Sequence, residues 1–268
     1  MYDLSGYTLD QVRPVVEALR DRMGHFVFAS TTVCHAATPI LPIRADSPDE
    51  DGPRQNPYGL AKLEVERWLL AEHRRHGLPA TIVRFPMVFG PNNMVLDREV
   101  RMFSRLLAGR PVLVPGDGTA LGMVSWVDDQ AEALRMLLGR PVTFGRRYDL
   151  AGRDCFTDDG FVDTFAAVTG TSPRRVYVPA AVMDELWARQ PELDPPAFLI
   201  QRLGPHIHHW SANVFFTAEE LRRDVGWEPT TSFRAMVATT YEWYCREGLR
   251  ATAFDWSPED ELLARLGA

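Results

Sequence analysis

The sequence predicts an α/β fold, in which a doubly wound parallel sheet is accompanied by a smaller α+β lobe. Short apolar runs alternate with amphipathic helical patterns over residues 1–85. This order favours parallel strands with helices on the faces of the sheet. After Gly90-Pro91 short strand patterns are mixed with several helical ones, so we expect the second lobe to draw on this part of the chain.

The first elements are predicted to be helix, strand, helix and strand. Apolar residues recur at the helical period over residues 8–23, and "HFVFAS" is a buried strand. A loop rich in Pro, Asp and Ser occupies residues 37–57. The second helix covers residues 58–76 and ends at Gly77, and "PATIVRF" is the next buried strand.

The later elements are predicted from shorter patterns. Helices are expected at residues 98–107 and 128–138, and within "TSFRAMVATTYEWYCREG", where Ser232 is the N-cap and Gly248 the terminator. Strands are expected at "PVLVPGDG", "GMVSWV", "RYDLAG" and "RRVYVPA".

Composition and charge weigh against several classes of protein. The formal net charge of −7 disfavours binding to nucleic acid or to an anionic membrane. Three dispersed cysteines without a C-x-x-C motif, Cys34, Cys155 and Cys245, predict free, buried thiols in a reducing compartment. No apolar run is long enough to span a membrane and no signal-peptide pattern is present, so a cytoplasmic location is expected.

Tyr58 and Lys62, in "NPYGLAKLEVERWLL", are the leading candidates for a catalytic pair. Their spacing of four places both on one helix face. A nearby ammonium lowers the pKa of a phenol, which can then exchange a proton with a substrate oxygen. The preceding strand ends in Ser30, Thr31 and Thr32, at the sheet edge where ligands bind. The alternative is that Tyr58 merely begins a helix and Lys62 is solvated.

Five segments in this order resemble the extended or atypical short-chain dehydrogenase/reductases, the NAD-dependent epimerase/dehydratase group. They are "STTV", "YGLAK", "RFPMVFGP", "VSWVDDQAEALRMLL" and "VGWEPTTSFRAM", and the resemblance extends over residues 4–249. It implies an N-terminally truncated Rossmann-like domain at residues 1–90 and 123–150. The remainder, residues 91–122 and 151–268, would be a substrate-binding lobe.

The resemblance also implies roles for individual residues. Tyr58 would be the acid/base, Lys62 would tune it and hold a nicotinamide ribose, and Ser30 would bind the reacting oxygen. If NAD or NADP binds, further candidates flank the nicotinamide, at Phe85, Pro86 and Met87. Candidates for contact with the substrate are Thr31, Thr32, Asn92 and Asn93.

The resemblance implies a glycine-rich dinucleotide loop that these 268 residues do not contain. "VLVPGDGTALGMV" is a poor substitute, because a strand pattern follows it where a phosphate loop needs a helix N-terminus. About the first quarter of a usual family member is absent. We therefore expect an exposed strand flank that supports a homodimer, a poorly stable chain, or a true start codon upstream.

Three functional classes stay open. The first is an NAD(P)-dependent epimerase, dehydratase or reductase acting on a hydroxyl- or carbonyl-bearing carbon of a small polar metabolite. The second is a cofactor-independent isomerase, lyase or cyclase that uses Ser30, Tyr58 and Lys62 for proton transfer. The third is a non-catalytic binding protein. The expected partner is a small-molecule substrate, with no nucleic acid and no membrane.

Histidines in "GPHIHHW" suggest a metal site at first sight. His206, His208 and His209 have no cysteine or second histidine pair at ligand spacing. We therefore expect no metal, and favour a role in a polar substrate pocket or on the surface for these residues.

Overall fold

A computed structural model describes residues 1–188 and 209–268 and confirms the predicted α/β fold with a parallel sheet. The strands are β1 (Tyr2–Asp3), β2 (Phe26–Thr31), β3 (Ala80–Phe85), β4 (Met87–Phe89), β5 (Val112–Pro115), β6 (Leu121–Trp126), β7 (Arg146–Asp149), β8 (Cys155–Thr157) and β9 (Arg175–Val178). The helices are α1 (Leu9–Leu19), α2 (Pro57–His76), α3 (Glu99–Leu107), α4 (Val127–Leu137), α5 (Asp158–Thr169), α6 (Ala180–Ala188), α7 (Glu219–Val225), α8 (Phe233–Arg246) and α9 (Ser257–Arg265).

The chain forms two compact units. The first comprises Met1–Val88, Ser125–Arg153 and Phe215–Thr230, and the second comprises Phe89–Val124, Asp154–Val214 and Thr231–Ala268. Residues Phe215–Thr230 were assigned by sequence to the C-terminal lobe. They lie in the first unit because Leu221, Val225 and Trp227 pack into a core cluster with Val27 and Val83 of its sheet.

The first unit is built on a parallel sheet of order β1-β2-β3-β7. Apolar side chains cover both faces. On one face, residues of α1 and α2 such as Val12, Val65 and Leu69 pack against the sheet. On the other face, Ala133 and Leu137 of α4 do so, together with α7. The strands read as near-continuous apolar runs because both faces are buried.

The second unit combines short strand pairs with helices. Strands β5 and β9 pair in parallel, and β6 and β8 pair antiparallel. Aromatic rings fill the space between α3, α5 and α8, where Phe103 and Phe233 both lie near Phe165. Helix α9 is joined to α3 through Glu259, which accepts hydrogen bonds from Arg101 and Arg105.

Two predicted features differ in detail. Helix α1 ends at Leu19 rather than Met23, and the chain tightens there into a turn in which Arg22 N–H donates to the Leu19 carbonyl over 2.8 Å. The three cysteines are free as predicted, but only Cys34 is buried. Cys155 begins β8 and Cys245 lies in the last turn of α8, and both are exposed.

Within residues 1–188 and 209–268, no helix is long and apolar enough to cross a bilayer.

The start of α2 is fixed by its cap. The Asn56 side chain accepts a hydrogen bond of 2.8 Å from Gly59 N–H, and Pro57 occupies the first turn. At the other end Gly77 adopts φ 68° and closes the helix. This cap fixes the start of the helix at Tyr58, and Lys62 follows one turn later on the same face.

Replacing Asn56 with alanine is expected to lower the free energy of unfolding by about 1 kcal/mol, because the Gly59 N–H loses its acceptor. Urea denaturation of the variant and the wild-type chain measures this difference. Asn56→Ser is the matched control, since serine keeps a side-chain acceptor. Equal destabilisation by both substitutions would show that the cap has no role.

His25, which precedes β2, predicts a dependence of stability on pH. Its Nδ1 accepts a hydrogen bond from Gly139 N–H and its Nε2 lies 2.8 Å from Thr81 Oγ1. Burial lowers the pKa of His25 from 6.5 to about 4. Between these values the unfolded chain binds the proton and the folded chain does not, so stability falls as pH drops from about 6.5 to about 4.

Urea unfolding at several pH values between 4 and 7 measures this dependence. His25→Gln is expected to flatten the part of the pH profile that His25 causes. The exposed His76, replaced in the same way, is the control and is expected to leave the profile unchanged. An unaltered profile in His25→Gln would contradict the prediction.

Candidate active site

A cavity of about 390 Å³ lies in the first unit beside the last residues of β2. Its polar wall consists of Ser30, Tyr58, Lys62 and Gln130. Apolar side chains from the segment after β1, from β3 and from α4 form much of the rest of the wall, among them Phe85. The structure therefore brings the three residues predicted to be catalytic to one cavity.

Tyr58 is the partly open member of this group, with 39% of its surface exposed. Its ring lies 5.6 Å from the ring of Tyr7, centroid to centroid. Burial raises the pKa of the Tyr58 phenol, while a hydrogen bond with the Thr31 side chain acts in the opposite direction. At neutral pH the phenol therefore keeps its proton.

Lys62 is buried, with 3% of its surface exposed. Its Nζ donates hydrogen bonds of 2.7 Å to the carbonyl oxygens of Gly6 and Ala29. The same atom lies 4.7 Å from the centre of the Phe28 ring and 5.8 Å from that of Tyr58. The alternative that Lys62 is a solvated helix residue is wrong.

The expected effect of Lys62 on Tyr58 is not seen in this structure. The pKa of Tyr58 is raised, not lowered, because burial outweighs the other influences on the phenol. The lysine ammonium is held by two backbone carbonyls and does not hydrogen-bond the phenol oxygen in any contact described. Burial also lowers the pKa of Lys62 itself, against the attraction of Asp3.

Ser30 is turned toward the interior of the first unit. Its hydroxyl donates a hydrogen bond to Glu66 Oε1. Glu66 in turn accepts hydrogen bonds from Arg84, at 2.9 Å from Nε and 2.6 Å from Nη2. Ser30 is 4% exposed and both of its charged neighbours are fully buried.

The other candidates from the sequence lie in different surroundings. Thr32 Oγ1 is 3.4 Å from the Phe85 carbonyl oxygen, to which it donates. Phe85 lines the cavity, and so does Val88. Pro86 is buried and Met87 begins β4, and neither is among the residues that line the cavity.

Asn92 and Asn93 lie in the second unit. Asn92 has a positive φ of 62°, and Asn93 Nδ2 donates to Glu99 Oε2 over 2.9 Å. Their expected contact with substrate stays a prediction.

A buried polar network next to Ser30 was not predicted from the sequence. Arg84 also binds Asp49, and His35 lies 3.0 Å from Asp149 and 3.3 Å from Arg84. Two signals could have revealed it. Glu66 continues the spacing of four from Tyr58 and Lys62, and Arg84 is a charge inside the apolar run "TIVRF".

The strand-turn-helix segment at the start of the chain adjoins the cavity through Leu4 and Tyr7. Its backbone N–H groups are already bonded. Those of Ser5 and Gly6 donate to Asp3 Oδ1, and those of Tyr7 and Thr8 donate to Gln11 Oε1. These four amides are therefore not free to bind a phosphate group.

The segment "VLVPGDGTALGMV", considered above as a substitute for the phosphate loop, contains the turn between β5 and β6. Gly116 and Gly118 adopt positive φ values of 56° and 77°. Strand β6 follows this turn, as predicted, and the segment lacks the helix N-terminus on which phosphate binding depends.

The histidine cluster is described only in part, since His206 and His208 lie outside the described residues. His209 Nδ1 is 2.8 Å from Ser211 Oγ, and its Nε2 is 3.7 Å from Asp184 Oδ1. Within residues 1–188 and 209–268 no three His, Cys, Asp or Glu side chains are grouped to hold a metal ion.

The sequence model of the NAD-dependent epimerase/dehydratase family matches residues 8–151, more than half of the chain. The chloroplast stem-loop binding protein of 41 kDa b from Arabidopsis thaliana is 25% identical over 267 residues, which are 99% of this chain and 64% of that protein. The dTDP-glucose 4,6-dehydratase of Neisseria gonorrhoeae is 27% identical over 190 residues, covering 70% and 50%. The chain thus spans between half and two thirds of these relatives.

A solved structure of similar fold is the dTDP-glucose 4,6-dehydratase of Bacillus anthracis, crystallised in complex with NAD. It matches with a TM-score of 0.68 and 18% identity, covering 90% of this chain and 68% of that one. At this level of identity the similarity shows a common fold.

Proposed function

The chain belongs to the NAD-dependent epimerase/dehydratase family, and we propose that it acts as an NAD(P)-dependent epimerase, dehydratase or reductase. Its substrate would be a small polar metabolite with a hydroxyl- or carbonyl-bearing carbon, and Tyr58 would be the acid/base. The observation that carries this proposal is the meeting of Tyr58, Lys62 and Ser30 at one cavity beside the end of a parallel strand.

The cavity fits the nicotinamide end of the cofactor better than its phosphates. A flat ring and ribose match a wall that is apolar along Ala29 and Phe85 and polar at Lys62 and Gln130. The turn after β1 is not available as a cradle for the pyrophosphate, because its amides are bonded to Asp3 and Gln11. When bound, the nicotinamide would supply or accept the hydride.

The residues of the chain would then handle the proton. Tyr58 is protonated at neutral pH because burial raises its pKa, so its phenol is suited to donate to a carbonyl oxygen. Lys62 ties the Gly6 turn to β2 through two carbonyls and fixes the wall next to the phenol. Gln130 is held in place by its hydrogen bond to Ser125 Oγ.

Titration of the folded chain with NADH and NADPH, followed by nicotinamide fluorescence, tests the proposal. Micromolar binding is expected for the wild-type chain. Ala131 lines the cavity from α4 and is exposed, so Ala131→Trp should abolish binding by filling the space. Glu132→Trp, one residue away and exposed, is the matched control and should bind normally.

No binding by a well-folded wild-type chain would overturn the NAD(P) proposal. Proton transfer without a cofactor, as in an isomerase, lyase or cyclase, would then be the function that Ser30, Tyr58 and Lys62 favour.

A second candidate function follows from one observation. The Arabidopsis stem-loop binding protein aligns with 99% of this chain, whereas the Neisseria dehydratase aligns with 70%. The net charge of −7 opposes binding to RNA. A gel-shift titration with a stem-loop RNA at low and physiological salt tests this candidate, and binding that persists at physiological salt would support it over the enzyme.

A further inference from the structure

The wall that α4 gives to the cavity contains one polar side chain. Residues 127, 130, 131 and 134 of this helix line the cavity, at the spacing of one helix face, and three of them are Val127, Ala131 and Leu134. The fourth is Gln130, which is 2% exposed. Buried polar side chains normally have hydrogen-bond partners, so the partners of the Gln130 amide indicate what it does.

The Gln130 amide is held in one orientation by two residues. Its Nε2 lies 2.8 Å from Ser125 Oγ, and that hydroxyl donates its hydrogen to the Leu150 carbonyl oxygen over 2.7 Å. A carbonyl oxygen can only accept, so the single hydrogen of Ser125 is used and its oxygen must accept from Gln130. The amide nitrogen therefore points to Ser125, because turning the amide over would set two acceptors against each other.

The amide oxygen of Gln130 is left for a ligand. Within residues 1–188 and 209–268 the hydrogen bond of this side chain is made through Nε2, and Oε1 has no donor and is not enclosed. Because Gln130 lines the cavity, the open space next to this oxygen is the cavity. The site therefore contains a fixed acceptor, whereas Tyr58 and Lys62 of the same wall are donors.

We propose that Gln130 recognises the carboxamide of the nicotinamide, with Oε1 accepting a hydrogen bond from the amide N–H. This inference rests on the proposed binding of a nicotinamide at this cavity, and it adds the residue that distinguishes a primary amide from groups of the same shape. Lys62 Nζ keeps a third hydrogen for a carbonyl oxygen, since its other two go to Gly6 and Ala29. A role confined to fixing α4 would need only the nitrogen of the Gln130 amide.

Two small probes differ in the group that Gln130 would recognise. Nicotinamide carries an NH2 group on its side-chain carbonyl, and 3-acetylpyridine carries a methyl group of similar size there. Neither has a phosphate, so the comparison does not depend on how a pyrophosphate is bound. Ala29 and Ala131 line the cavity, and titration of the chain with ¹³C-labelled alanine methyl groups gives a Kd for each probe by NMR. Ala131→Trp, which fills the cavity, should remove the binding of both.

The wild-type chain is expected to bind nicotinamide about fivefold more tightly than 3-acetylpyridine, because the methyl group leaves the buried oxygen of Gln130 unpaired. Gln130→Leu is expected to bring this ratio to about one. Glu132→Leu, at an exposed position of the same helix, is the matched control and should keep the wild-type ratio. Should Gln130→Leu not fold, Ser125→Ala should narrow the ratio, since the amide can then turn over.

Ser30→Ala separates Gln130 from another acceptor at the cavity. The hydroxyl hydrogen of Ser30 is donated to Glu66, so the Ser30 oxygen can also accept a hydrogen bond from a ligand. The proposal is overturned if Ser30→Ala abolishes the preference, if the wild-type chain binds both probes equally, or if nicotinamide does not bind. A preference for nicotinamide in a chain that does not bind NADH would overturn the NAD(P) function instead, and would leave Gln130 as the residue that recognises a primary amide.

Discussion

If Tyr58 is the acid/base, as proposed, replacing it with phenylalanine is expected to lower kcat by about 10²- to 10⁴-fold, because the variant lacks the phenol that moves the proton. Stability should change little, since 39% of Tyr58 is exposed and its ring contact with Tyr7 is kept. Turnover of dTDP-glucose, the substrate named for the Neisseria relative, is a first assay, with NADH absorbance and product analysis as readouts. Thermal unfolding checks that the variant is folded.

Tyr7→Phe is the matched control for this substitution. Tyr7 also lines the cavity, and its ring lies 5.6 Å from that of Tyr58. The substitution removes the same phenol group from the same cavity but leaves Tyr58 in place. Equal losses of kcat in both variants would assign the effect to the shape of the cavity and contradict the acid/base role of Tyr58.

Replacing Glu66 with glutamine is expected to lower the free energy of unfolding by about 3 kcal/mol, because it removes a buried carboxylate and leaves the buried Arg84 with Asp49 as its remaining anionic partner. Glu66 and Arg84 are both fully buried, and two hydrogen bonds join them. Arg147 adds a second guanidinium 3.2 Å from Glu66 Oε2. The amide of glutamine cannot neutralise these groups, so the network loses its central anion.

Urea denaturation measures this effect, with Glu64→Gln as the control. Glu64 lies on the same helix but is exposed, so its substitution should change stability by less than about 0.5 kcal/mol. A similarly small change in Glu66→Gln would show that the buried ion pair adds no net stability. The Ser30 hydroxyl would also lose its charged acceptor, which links this network to the cavity.

Local patterns were sufficient to predict the elements that carry the site. Helix α2 begins with Asn56 and Pro57 and ends at Gly77, and both ends have local chemical causes. The shared face of Tyr58 and Lys62 follows from helix geometry alone. These features depend on residues that are close together in the chain, so they can be predicted from the sequence.

Contacts between distant parts of the chain were not predictable in this way. The Gly6 carbonyl that receives Lys62 lies 56 positions away, and Glu66 lies 36 positions from Ser30. Sequence spacing places Glu66 on the helix face of Tyr58 and Lys62 but does not show that it meets Ser30, so the raised pKa of Tyr58 and the orientation of Ser30 were both missed. The place of α7 in the first unit likewise depends on packing with Val27 and Val83.

The burial of Lys62 has a practical consequence, because it is the only lysine in the 268 residues. A protease that cuts solely after lysine has one site in this chain, in the first half of α2. With Nζ bonded to two carbonyls and 3% of the residue exposed, cleavage requires α2 to open locally. The rate of that single cut therefore reports how often the helix opens, and any compound that fills the cavity can be recognised by the protection it gives.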